Sequence, residues 1–375
     1  MYIQRQLEQE VKKSLFKGKI IIVYGARQVG KTTLVKKIAG DLGQAFGYLN
    51  CDELDVLSQF QMADNTLALR QMMGDKKLVI IDEAQRVRNI GLKLKLLIDN
   101  YPEIQLLVTG SSSLDLSNEV SEPLTGRCDE FWLFPLSVKE VWQGSNGLTR
   151  QRDLEKWLIY GSYPGVWNLE SDEEKSIKIK QLAANYLYKD VLKFNEIKNS
   201  EIILRLLQAL ALQIGNEVSF NELANTIGVS KQRVASYIEL LEKVFVVFSL
   251  KPYSGNMRQA LNKKRKIYFL DVGIRNAIIN NQNSLAIRDD VGKLWENFVI
   301  AEKYKSQLGL GYKTNFYFWR TYEGQEVDLV EDKGGKLIGW EIKLKGKGKK
   351  QPKDWGKYKN SSWKEIDREN FWENM

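Results

Sequence analysis

Gly25-Ala26-Arg27-Gln28-Val29-Gly30-Lys31-Thr32-Thr33 follows the apolar run Ile20 to Tyr24 and leads into Leu34 to Ala39, a pattern of buried strand, glycine-bracketed loop and helix. The glycines let the backbone bend so that successive N–H groups converge on phosphate oxygens, and the positive end of the following helix adds to that field. Lys31 is placed to reach terminal phosphates and Thr32 to hold a magnesium ion. The whole segment from Gly25 to Thr33 therefore reads as the binding loop of a nucleoside triphosphate. A tight glycine turn with no ligand would explain the glycines but not the strand before and the helix after.

The rest of the chain bounds that reading. At 375 residues, it suits two or three domains, each with its own core. A hydrophobic fraction of 43% and a charged fraction of 27% are those of a soluble globular protein, and no apolar run is long enough to span a bilayer. The first ten residues mix charges where a signal peptide would carry an apolar region, so a cytoplasmic location is expected. Cys51 and Cys128 are too few for a disulfide framework or a zinc cluster. The absence of histidine removes imidazole bases, His-Asp triads and His-dependent metal sites, leaving catalysis to carboxylates, Lys, Arg and magnesium. The net charge of +9 fits a polyanionic partner without requiring one.

Strand-like runs recur at Ile20 to Tyr24, Phe46 to Asn50, Leu78 to Asp82 and Gln105 to Thr109, separated by helical patterns, which predicts a parallel α/β sheet. Leu78-Val79-Ile80-Ile81-Asp82-Glu83 delivers two carboxylates at a strand's C-terminal end, where such sheets bind ligands. Asp82 suits the magnesium shell and Glu83 suits polarising an attacking water. Ser111 and Ser112, after Leu106 to Gly110, stand where a γ-phosphate sensor belongs; a hydroxyl-rich turn capping a helix reads equally from them. Arg127, beside Gly126, suits an arginine finger reaching a neighbouring subunit, or an ordinary surface salt bridge.

Further along, Ser219 to Leu241 reads as helix, glycine turn at Gly228, and a second helix capped by Ser230, with a strand-like wing at Val244 to Leu250. Lys231, Gln232 and Arg233 open the second helix, where groove-reading side chains lie; a packing or docking module would use the same architecture. Phe316 to Thr321, Gln325 to Asp332 and Lys336 to Lys343 then read as strands joined by tight turns. A loop holding Asp332 to Gly335 would set Glu326 opposite Glu341 and Asp328 opposite Gly339, placing Asp328, Glu341 and Lys343 on one face. Glu296 lies on the helical stretch just upstream. The Lys-rich ending from Lys345, with Trp355, Tyr358 and Trp363, suits either phosphate neutralisation with base stacking or a solvated tail.

Together GARQVGKTT, LVIIDEAQ, LLVTGSS, LTGR followed by FPLS, and GSYPGVW (Gly161 to Trp167) resemble prokaryotic AAA+ superfamily ATPases that carry a C-terminal domain of unknown function. That resemblance implies ATP and Mg2+ as ligands and a core in which the strand carrying Ser111 lies between the two Walker strands. The E…D…ExK set Glu296, Asp328, Glu341 and Lys343 resembles the PD-(D/E)xK nuclease superfamily, which implies magnesium on Asp328 and Glu341 and a lysine that positions the attacking water; inactive relatives are common there. The family usually continues with a regular helix and strand beyond this motif, from which the Lys-rich ending departs. The expected architecture is α/β: a P-loop AAA+ core at 1–137, a helical lid at 138–215, a winged helix at 216–255 and a nuclease-like α/β domain at 256–375. ATP, DNA and other copies of the chain, joined through Arg127, are the expected partners. An ATP-dependent regulatory switch or a protein remodeller with an inactive docking domain reads from the same residues.

Overall fold

The computed structural model describes residues 2–111, 123–142, 147–186, 200–254, 264–308, 314–346, 348 and 350–375. Within these, the chain divides into two compact units, one of residues up to Phe134 and one from Pro135 onward. The boundary expected at 137 falls close to that division, whereas those at 215 and 255 fall inside the second unit.

The first unit comprises α1 (Leu7–Ser14), β1 (Ile20–Gly25), α2 (Lys31–Asp41), β2 (Gly47–Asn50), α3 (Leu54–Met62), α4 (Thr66–Met73), β3 (Leu78–Asp82), α5 (Ile90–Asn100), β4 (Gln105–Gly110) and β5 (Cys128–Leu133). Its strands form a parallel sheet ordered β2-β3-β4-β1-β5. Every residue of β1, β3 and β4 is buried, which is why these runs are apolar throughout instead of alternating. Burying each Ile, Val or Leu there stabilises the fold by about 1.5–3 kcal/mol. β4 lies between β1 and β3, so the ends of all three open on one side of the sheet.

The second unit runs α6 (Val138–Val141), α7 (Gly147–Tyr160), α8 (Pro164–Trp167), α9 (Asp172–Tyr186), α10 (Ser200–Leu212), β6 (Glu217–Val218), α11 (Phe220–Ile227), α12 (Lys231–Lys243), β7 (Val247–Pro252), β8 (Arg265–Phe269), α13 (Val272–Ile278), α14 (Val291–Leu308), β9 (Asn315–Arg320), β10 (Glu326–Lys333), β11 (Lys336–Ile342) and β12 (Ser361–Ile366). A single mixed sheet, β12-β11-β10-β9-β7-β8-β6, passes through it. Because β7 pairs with β8 on one side and β9 on the other, the strand expected to end the winged helix is also the seam to the strands beyond. The hairpin partner of β7 is β8, so the strand array beside α11 and α12 extends to Phe269 instead of stopping near 255.

Three local corrections matter for the second unit. Gly334 and Gly335 both adopt positive φ, 63° and 87°, which allows a two-residue hairpin that a longer loop would not need. Lys333 therefore pairs with Lys336 and Leu329 with Trp340, which brings Asp328 level with Glu341 rather than Gly339. A slip of two residues preserves faces, so the expected sharing of one face survives the corrected register. Second, β10 carries a bulge against β9 between Val327 and Val330, re-aiming the backbone where Asp328 sits. Third, the Lys-rich ending is structured from Trp355 onward: β12 lies parallel to β11, Trp355 is wholly buried, and Tyr358 and Trp363 pack against the same apolar cluster. Trp355 is thereby core and not a stacking platform.

Candidate functional site

In the first unit the sequence motifs meet at the strand ends. Gly25 lies so close to β5 that a Cβ there would stand 2.2 Å from the Leu133 carbonyl oxygen. Gly30, at φ 97°, is the N-cap of α2 and brings no capping side chain, which leaves the first-turn amides facing the loop. Lys31 is buried and its Nζ donates to the carbonyls of Gly25 and Ala26 at 2.9 and 3.0 Å, folding the ammonium over the loop. Arg5, outside every motif, is also buried and donates to the carbonyls of Val29 (2.8 Å) and Phe134 (2.6 Å), tying the loop to the end of the domain.

Asp82 is the hub. Its Oδ2 accepts from Thr32 Oγ1 and from Tyr48 Oη, each at 2.8 Å, and its Oδ1 accepts from Thr109 Oγ1. Burial, then the bond to Asp82, pushes the Tyr48 phenol well above its usual range, so it serves as a neutral donor. Glu83 takes a left-handed backbone, φ 55°, that turns its carboxylate out of the strand, and its N–H donates to Thr109 Oγ1 at 3.2 Å. Gln85 then bridges, with Nε2 donating to Glu83 Oε2 at 2.5 Å and Oε1 accepting from the Ser111 amide at 3.2 Å. Ser111 thus joins the acid pair through its backbone, whereas Ser112 lies outside the described residues. Arg127 is half-exposed and its Nε donates to Asp99 Oδ1 at 2.6 Å, a bond that holds the Asp99 carboxyl below its ordinary value.

A hydroxyl and a carboxylate 2.8 Å apart, both oxygen donors beside a lysine and a row of amides, are a donor set that fits magnesium with a triphosphate. Tyr48, Thr109, Gln85 and Arg5 were not among the residues expected here. Of these, only Gln85 and Thr109 lie within the sequence motifs.

The second unit gathers the other acids. Asp328 and Glu341 are buried and share Lys343, whose Nζ lies 3.6 Å from Asp328 Oδ2 and 2.8 Å from Glu341 Oε1. The Ile342 amide donates to Asp328 Oδ2 at 2.8 Å. Glu296 on α14 is also buried and accepts from Tyr268 Oη at 2.7 Å and from Lys293 Nζ at 3.1 Å. Lys266, 1% exposed and unforeseen from sequence, joins Glu326 at 2.5 Å to Glu296 at 3.5 Å. Burial first, then repulsion from Glu296 and Glu341, pushes the Asp328 carboxyl up to about 6. Burial would lower Lys266, but Glu296, Glu326 and Asp328 outweigh it and keep the ammonium above its ordinary value. All four expected residues are therefore brought into one charge cluster. No group of three or more His, Cys, Asp or Glu among the described residues is spaced to hold a metal ion.

The remaining motifs find structural places. Ser219 and Ser230 cap α11 and α12 as expected, accepting from the amides of Glu222 and Arg233, and Gly228 closes α11 in a left-handed conformation. Lys231, Gln232 and Arg233 are exposed on the first turn of α12. The Gly161 to Trp167 motif is a packing joint: the Ser162 amide and hydroxyl donate to buried Asp271 at 2.7 and 3.0 Å. No helix among the described residues is long and apolar enough to cross a membrane.

The strand order of the first unit and the hub on Asp82 define a nucleotide-binding domain of P-loop type. Residues 17–142 match the family described as AAA domain, so this part of the chain is similar to AAA-type ATPase domains. Residues 151–285 and 291–366 each match a family described only as a domain of unknown function. An uncharacterized protein of Mycobacterium tuberculosis is 28% identical over 344 residues, 91% of this chain and 74% of the relative. Another, of Methanocaldococcus jannaschii, is 28% identical over 343 residues, 80% and 71% of the two chains. Among solved structures, the Thermotoga maritima RuvB Holliday junction branch migration motor aligns at 16% identity and a TM-score of 0.31, covering 70% of this chain and 95% of that one.

Proposed function

We propose that the first unit binds and hydrolyses ATP with magnesium, and that the second acts on DNA through α12 and the cluster around Asp328. The single observation that carries the ATPase reading is the 2.8 Å contact of Thr32 Oγ1 with Asp82 Oδ2 beside the loop lysine. When bound by Thr32 and Asp82, magnesium neutralises charge on the phosphate oxygens. The amides of Gly25 to Thr33 and Lys31 bind the phosphates, Glu83 accepts a proton from the attacking water, and Gln85 and Ser111 hold Glu83 in register. Arg127 would serve a neighbouring copy, which requires an oligomer and release of Asp99.

Retention of a fluorescent ATP analogue by the parent and its loss on Lys31→Ala tests the loop; equal retention by both sinks the reading. For the second unit, plasmid and single-stranded DNA are incubated with magnesium or manganese beside Asp328→Ala and Glu341→Ala. Cleavage by the parent alone supports nuclease chemistry, with Lys343 positioning the water. A second reading, an ATP-driven switch or remodeller with an inactive docking domain, is favoured by one observation: Lys343 and Lys266 already neutralise these acids. No cleavage under any condition supports it.

A further inference from the structure

A cavity of about 490 Å3 opens on the second unit, lined chiefly by Glu217, Lys264, Phe318, Arg320 and Tyr322. It adjoins the acid cluster. Phe318 is buried, and Lys266 Nζ lies 5.5 Å from its ring centroid while contacting Glu326 and Glu296. Register repeats that adjacency: Arg320 pairs with Glu326 across β9 and β10, and Glu217 pairs with Lys266 across β6 and β8. Asp328 lies on β10, the strand next to the one that carries Phe318 and Arg320.

Its lining is unusual for a bare surface. Tyr322 is 100% exposed at the rim, in the turn that follows β9, so its aromatic face is open to solvent. Arg320 is half-exposed and gives one of its N–H groups to Glu217 at 3.0 Å, an exposed pair of little strength that a phosphate can replace bidentately. Lys264 adds a second cation at the cavity wall. An aromatic plane, two cations and a recess beside paired acids match one nucleotide unit, a flat base and its phosphate.

We infer that this cavity holds a nucleotide of a single strand, flanking the position over Asp328 and Glu341; the inference rests on the nucleic-acid reading of that cluster. Stacking on Tyr322 is sequence-tolerant, and the phosphate contact to Arg320 sets the strand's direction past the acids. A free nucleotide has the same chemistry, so the test separates the two sources.

A short fluorescein-labelled oligothymidylate is titrated by anisotropy with the full chain, without ATP and with EDTA, so that an inactive acid cluster does not alter the result. Tyr322→Ala is expected to weaken binding about tenfold, and Tyr322→Phe to restore it. Arg320→Ala is expected to weaken binding similarly and to lower the slope of log affinity on log salt by roughly one. Because both side chains are exposed, unchanged thermal melting is expected for each variant. Parent-like titrations for Tyr322→Ala and Arg320→Ala overturn the inference, as does thymidine monophosphate competing as well as the oligomer. Loss of cleavage in Asp328→Ala with normal oligomer binding tests the cluster independently of the cavity.

Discussion

Asp82 in the first unit and Asp328 in the second are both buried acids at strand positions, yet their surroundings differ in kind. Asp82 is held by three hydroxyls, from Thr32, Tyr48 and Thr109. Asp328, Glu341 and Glu296 are held among lysines: Lys343, Lys266 and Lys293. Neutral donors orient a carboxylate without cancelling its charge, so the charge remains available to an incoming cation. Cationic donors satisfy the charge in advance, and a divalent ion or a phosphate must displace or join them. On the function proposed above, the first site receives a cation together with its ligand, whereas the second is an ion-pair network that a ligand would have to reorganise.

The largest expected effect follows from the hydroxyl-held site. Glu83→Gln keeps the hydrogen-bonding shape beside Gln85 but removes the base, so ATP turnover is expected to fall about 100- to 10,000-fold with ATP still bound. Phosphate release measured beside retention of a fluorescent ATP analogue separates the two. Parent-like turnover would mean that Glu83 is only structural and that the two acid sites differ less than their surroundings indicate.

Ion pairing in the second unit can be tested away from either site. Asp290 accepts from Arg288 at 2.8 Å and also pairs with Arg275; both arginine side chains are buried. Burial pushes the Asp290 carboxyl up, but hydrogen bonds from Arg288 and Arg275 outweigh it and hold it at about 2. Asp290→Ala leaves two buried guanidinium groups without that carboxylate and is expected to cost about 3 kcal/mol, the low end for a buried pair because Asp290 is 20% exposed. A depressed carboxyl stabilises the fold above its unfolded value of about 3.9, and that contribution is lost as pH falls toward 2. Urea unfolding followed by tryptophan emission reports on this unit, since Trp132 alone of the ten tryptophans lies in the other. The gap between parent and variant should therefore close in acid; a gap independent of pH would assign the loss to packing.

The same contrast explains what was readable in the sequence. Gly25 to Thr33 and Asp82-Glu83 are contiguous, so their chemistry shows in one line of residues, and the strands that carry them are apolar because both faces are buried. Tyr48 and Thr109 were silent because a hydroxyl in a strand has no signature until β2 and β4 are set beside β3. Lys266 was silent for the opposite reason: in a chain with 56 basic residues, one more lysine says nothing until it is found 1% exposed between two acids. The register of β10 on β11 turned on whether two glycines or four residues make the hairpin, which backbone angles settle and composition does not. Trp355, Tyr358 and Trp363 were obscured by the lysines around them, although their burial completes the sheet with β12.

The smallest expected effect is also the most direct comparison, because it deletes one hydroxyl from each site. Thr109→Val keeps the side chain's shape but removes the donor to Asp82 Oδ1 and the acceptor of the Glu83 amide. Hydrogen bonds to charged groups contribute about 1.5–3 kcal/mol, so turnover is expected to drop at least about tenfold. Tyr268→Phe removes the 2.7 Å donor to Glu296, yet Lys293 at 3.1 Å and Lys266 at 3.5 Å remain beside that carboxylate. Its expected cost in urea unfolding is about 1 kcal/mol or less, since the charge stays compensated. A Tyr268→Phe cost in urea unfolding of about 1.5–3 kcal/mol, the full worth of a hydrogen bond to a charged group, would show that the lysines around Glu296 do not compensate for the phenol, and the distinction between hydroxyl-held and lysine-held acids would fail where it is sharpest.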